Sequence, residues 1–79
     1  MEDVFIGEMK LVAFNYDPVG FLPCDGKELP ISQYQPLFAL IGCTFGGDGR
    51  TTFALPNYPG PAKGMHWIIA YEGIWPSRP

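Results

Sequence analysis

The chain has 79 residues, a formal charge of −3, and 47% hydrophobic and 15% aromatic residues, a composition that fits one globular domain over residues 1–79 and excludes a disordered acidic tail. The five basic residues, Lys10, Lys27, Arg50, Lys63 and Arg78, are scattered, so no basic stripe can track a phosphate backbone and nucleic acid is not an expected partner. No apolar run approaches the roughly 18 residues of a membrane span, and Met1-Glu2-Asp3 has the wrong charge for a secretory signal, so synthesis in the cytoplasm without a signal peptide is expected.

Residues 5–14 alternate imperfectly, with Phe5, Gly7, Met9, Leu11 and Ala13 on one side and Ile6, Glu8, Lys10, Val12 and Phe14 on the other, which predicts a strand. Asn15-Tyr16-Asp17-Pro18-Val19-Gly20 supplies turn residues, and Phe21 to Cys24 can return as a second short strand. Asp25-Gly26-Lys27 turns the chain again, and Leu29-Pro30 leaves it extended. Ser32 and Gln35 have capping-box spacing, which predicts one helix beginning there. Pro36 makes its opening turn irregular, because at the fourth helical position it removes the first backbone donor. Leu37, Phe38, Leu40 and Ile41 form an apolar face suited to packing on a sheet, and Gly42 is a left-handed stop.

Three glycines in four positions, Gly46, Gly47 and Gly49 around Asp48, predict a tight reversal with Asp48-Gly49 as a turn pair. Thr51, Thr52 and Phe53 suit a strand that Leu55-Pro56 ends. A phosphate-binding loop would run from strand into helix and add Lys-Ser/Thr after the last glycine. Here Gly49 is followed by Arg50 and by strand residues, so the glycines are read as turn formers. Residues 57–64, with two prolines and two glycines, are loop. Residues 65–71 are apolar on both faces, as in a central strand or one covered by a partner subunit.

Phe45-Gly46-Gly47-Asp48-Gly49-Arg50-Thr51-Thr52-Phe53-Ala54-Leu55-Pro56 resembles the signature of the phage tail-collar family, whose bacterial relatives include those labelled microcystin-dependent proteins. Ile6-Gly7-Glu8, Cys24-Asp25-Gly26, Leu29-Pro30-Ile31-Ser32 and Leu37-Phe38-Ala39-Leu40-Ile41-Gly42 precede it in the family's order. Ile68-Ile69-Ala70, Gly73-Ile74 and Pro76-Ser77-Arg78 resemble the closing segment. The chain departs from the family in having only residues 57–64 where typical members carry a long Gly-rich insertion. The resemblance implies a structural, non-catalytic part of a phage tail or phage-derived particle, acting in assembly or host attachment. It also implies a homo-oligomer, trimeric in the family's best-known tail fibres, with other tail proteins or a host-surface glycan as partners. The expected fold is α+β, a small mostly-β domain with one short helix.

Oligomerisation is also expected physically, since so small and apolar a chain has little core to hide its aromatics. Trp67, Ile69, Tyr71 and Trp75 are the expected interface. Arg50 has two readings: a salt link to Asp48 or across a subunit boundary, or capture of a small anionic ligand with Gly47, Asp48, Gly49 and Thr51, helped by exposed amides of residues 46–49. On the second reading the protein is a free oligomer that sequesters an anion such as a host nucleotide signal. Cys24 and Cys43 are expected as buried free thiols, although spacing does not settle pairing. No metal or other cofactor is expected: two cysteines and the single His66 fall short of a four-ligand site, and His66 beside a strand is read as packing. No local motif pairs His66 with a nucleophile, and Glu2-Asp3 reads as solvated charge, so no catalytic residue is assigned.

Overall fold

The computed structural model describes residues 4–76; Glu2-Asp3 and the Ser77-Arg78 end of the closing match lie outside them. The fold is α+β and mostly strand. Strands β1 (Met9–Val12), β2 (Phe21–Pro23) and β5 (His66–Ala70) form one antiparallel sheet in the order β1-β5-β2, and β3 (Glu28–Pro30) pairs antiparallel with β4 (Thr52–Ala54) in a second. Between β3 and β4 lie a single 3₁₀ turn, Ile31–Gln33, and helix α1 (Gln35–Ile41).

β5 is the centre of the larger sheet because its residues can be buried on both faces. Ile68, Ile69 and Ala70 are all buried, as a strand with neighbours on both edges allows. Met9 and Leu22 stand opposite Ile69 on either side, so one cross-strand row presents an apolar band to the core. Cys24, Leu29, Leu37, Phe53 and Leu55 complete the buried cluster, with Phe38, Trp67 and Tyr71 packed against it. The rings of Phe38 and Phe53 lie 5.5 Å apart, which joins α1 to β4 and hence to the smaller sheet.

Two expected boundaries move, each for a local reason. The first strand is shorter than residues 5–14. Glu8 N–H donates to Phe5 O at 3.0 Å and Phe5 N–H to Glu8 Oε1 at 3.1 Å, and this turn puts Ile6 and Met9 together against the core. The second change is at the helix, which does not begin at a Ser32 cap. Ser32 sits in the 3₁₀ turn, Tyr34 precedes α1 without any side-chain cap, and Pro36 falls within the first turn. There its missing N–H is one that has no intrahelical partner anyway, so the proline fits without loss. At the other end, Gly42 closes α1 with its N–H on Phe38 O at 2.7 Å, but its φ of 60° and ψ of −151° lie outside the left-handed helical region. Finally, the expectation of two buried thiols fails at Cys43, which is exposed just beyond α1; Cys24 is buried and both are free.

Candidate functional site

The glycine-rich signature folds around one carboxylate. Asp48 Oδ1 accepts the N–H groups of Arg50 at 2.8 Å, Thr51 at 2.9 Å and Thr52 at 3.0 Å, while Oδ2 accepts the Thr51 hydroxyl at 2.9 Å. The Thr52 hydroxyl oxygen in turn accepts Asp48 N–H at 3.3 Å, and Gly49 N–H donates to Thr52 O at 3.0 Å. An aspartate that bonds the backbone two to four residues ahead replaces a ladder with its own acceptors. The hydrogen bonds from Thr52, Arg50 and Thr51 hold the Asp48 carboxyl well below its ordinary value of 3.8, since each favours the ionised form.

Two glycines let the turn lie back on β4. Gly47 has φ +87°, and a Cβ added there would overlap Phe53 Cα and sit 2.7 Å from Thr52 O. Gly49 also has positive φ, +75°, but a Cβ there would meet only the Cys43 side chain, at 3.4 Å. The sequence reading treated these positions alike. The structure separates them: Gly49 needs only its backbone angle, whereas Gly47 needs the angle and the absent side chain.

This geometry changes one detail of each role considered for the loop. Arg50 does not bridge to Asp48 through its guanidinium. Its backbone N–H makes that contact, and among the described residues the guanidinium has no carboxylate partner. Nor do residues 46–49 offer a free row of amides, because Gly46 N–H bonds Cys43 O at 3.1 Å and the amides of Asp48 and Gly49 are used as described. The converging amides are those of residues 50–52, and the anion they hold is the loop's own.

Arg50 and Thr51 instead line an open cleft of about 280 Å³ with Ile31, Ser32 and Gln35. The spacing of Ser32 and Gln35 points to helix capping, and no local pattern signals that they neighbour Arg50. Of the four residues expected at an interface, Ile69 lies within the core of the single chain and is removed from the surface. Trp67 is half-buried against that core, and Tyr71 meets Tyr34 edge-on with centroids 5.3 Å apart. Trp75 is about half exposed, as are Phe5 and Ile74, which sequence reasoning did not select. Phe5 and Ile74 are brought together by a parallel bridge between the two ends of the described chain, a juxtaposition no local pattern reveals. His66 is more than packing: its Nε2 lies 3.0 Å from Asp17 Oδ1. Among the described residues no cluster of three or more metal-ligating side chains occurs, and no helix is long and apolar enough to cross a membrane. Burial, with Asp25 and Asp17 adding to it, pushes the Cys24 thiol up to about 11, so at neutral pH it is a poor nucleophile.

Two outcomes test the turn. Gly47→Ala is expected to destabilise the fold by about 3 kcal/mol or more and Gly49→Ala by about 1 kcal/mol, because only the first adds a backbone clash to the strained angle; urea unfolding of both variants measures the difference. Asp48→Asn keeps an acceptor oxygen but loses the charge. Since the folded carboxyl titrates below the ordinary 3.8, the stability it supplies is fully present above that pH and is lost as pH falls toward the folded value. The melting temperature of Asp48→Asn is therefore expected to lie below wild type at neutral pH, with the gap narrowing below about pH 4.

Comparison with known protein families matches residues 7–62 to the Phage Tail Collar Domain. The matched span includes the first strand, the helix, the whole Asp48 turn and most of the short link that follows it. No curated protein matches the chain. With the family match covering most of its length and the signature folded as one hydrogen-bonded unit, the chain belongs to the phage tail collar domain family.

Proposed function

We propose that this protein is a structural, non-catalytic component of a phage tail or phage-derived particle, acting as a homo-oligomer in tail assembly or host attachment. The observation that carries this reading is the internal satisfaction of the collar signature. Its carboxylate and most of its amides are spent on one another, which suits a rigid structural element and leaves little for chemistry on a substrate.

The homo-oligomeric part is supported by Phe5, Ile74 and Trp75, all half-exposed, with Phe5 and Ile74 paired across the two chain ends. Large apolar side chains grouped on so small a domain are the kind of surface that a second subunit covers. Arg50, exposed and without a described carboxylate partner, is assigned to a salt link across the subunit boundary, where a guanidinium fork can engage a carboxylate with two bonds.

Native mass spectrometry at micromolar concentration is expected to give a multiple of the 8.8 kDa chain mass. Trp75→Ser and Arg50→Ala should each shift that distribution toward the monomer. A wild-type monomer that unfolds cooperatively would contradict the oligomeric reading. An Arg50→Ala oligomer of unchanged stability that had lost a small anion carried by wild type would replace the structural role of Arg50 with ligand capture.

A further inference from the structure

A second group of side chains lies at the end of the larger sheet where Val12 stands opposite His66. Just beyond β1, the rings of Phe14 and Tyr16 are stacked with centroids 4.5 Å apart, and Tyr16 is 62% exposed. The next residue is Asp17, whose Oδ1 lies 3.0 Å from His66 Nε2. Pro59 is bridged to His66, which brings half-exposed Tyr58 to the same end of the sheet. Asp17 and His66 each keep about a third of their side chain in water, at 34% and 31%. Asp17 Oδ2 and His66 Nδ1 have no partner among the described residues.

The mixture of groups points to the class of ligand. An apolar protein surface closing over the tyrosines would strip water from the Asp17 carboxylate and its imidazole partner, a cost that little would offset. A pyranose ring satisfies both kinds of group. Its C–H face packs on an aromatic ring, and its equatorial hydroxyls can donate to a carboxylate oxygen and bond an imidazole nitrogen. Asp17 and His66 already hold each other in place, and tyrosine has few torsions to freeze, so little conformational freedom is lost on binding. The carboxylate and the net charge of −3 disfavour an acidic sugar.

We propose that Tyr16, Tyr58 and the Asp17–His66 pair form a contact site for a neutral hexopyranose of a glycan. This rests on the attachment side of the function proposed above and does not require the oligomer. The test is a titration of the 79-residue chain with maltose, lactose and chitobiose, followed by the backbone amide resonances. At least one sugar should shift the amides of residues 14–17, 58 and 66 selectively. Its affinity should fall on the order of fivefold in Tyr16→Ala, the scale of a lost aromatic contact, and be retained in Tyr16→Phe. Asp17→Asn should also weaken it while the other resonances stay in place. Absence of shifts with all three sugars at millimolar concentration, shifts confined to other residues, or affinity unchanged in Tyr16→Ala would each overturn the site. Burial of residues 14–17 between copies, seen as dissociation of the oligomer in Tyr16→Ala, would overturn it as well. The native mass spectrum separates this from the broader reading. An oligomer without sugar binding refutes the glycan site alone, and a sugar-binding monomer refutes the oligomer alone.

Discussion

The Asp48 carboxylate is the constraint on which the collar signature depends. Between the end of α1 at Gly42 and the start of β4 at Thr52 the chain reverses and delivers Phe53 and Leu55 to the core, both essentially without solvent exposure. No regular element spans that interval, so its backbone groups need other partners. One side chain supplies acceptors to three consecutive amides and a hydroxyl. Ala54 N–H then bonds Gly46 O at 3.1 Å and ties the turn to the strand it precedes. Because Gly47 has no side chain, the loop can lie directly on the backbone of Phe53. The turn and the core are therefore parts of one arrangement, since the Phe53 ring that α1 packs against is positioned by the loop lying over its main chain.

What could be read from the sequence follows from how local each signal is. The glycine turn, the strand after it and the central strand at residues 65–71 depend on backbone preference and apolar runs, which neighbouring residues reveal. The helix start was misplaced because Ser32 and Gln35 have the spacing of a capping box while Pro36 favours a first turn beginning at Gln35, and the proline's fixed geometry prevailed. The side-chain partners were less legible. Arg50 next to Asp48 reads as an ion pair, yet the carboxylate is taken by main-chain amides whose direction depends on the glycine angles. Ile69 and Trp67 look equally available in an apolar run and, two residues apart, share one face of β5; both meet the core, but Ile69 is enclosed within it while Trp67, next to the start of the strand, stays half-buried. The pairings Asp17 with His66 and Phe5 with Ile74 join residues far apart in sequence, and no short-range pattern carries them.

The link after the signature is short and tied down. Residues 57–64 are held by bridges at both Asn57, to Asp25, and Pro59, to His66, so the chain passes from β4 to β5 with little excursion. Two exposed groups differ in character. Phe5 and Ile74, with Trp75 next in the chain, are apolar, whereas the end of the sheet near His66 combines aromatic rings with a carboxylate and an imidazole. A surface that is purely apolar and one that mixes stacking with hydrogen bonding suit different partners, which is why subunit association is assigned to the first and glycan contact to the second.

The most direct measurement of the central claim is a carbon-13 NMR titration of the Asp48 side-chain carboxyl in the folded protein, with the amide resonances of Arg50, Thr51 and Thr52 followed alongside. A turn closed by its own anion requires Asp48 to remain ionised well below the ordinary 3.8, with the three amides changing together only when it finally protonates. Titration of Asp48 at the ordinary value, with those amides unaffected, would contradict the account.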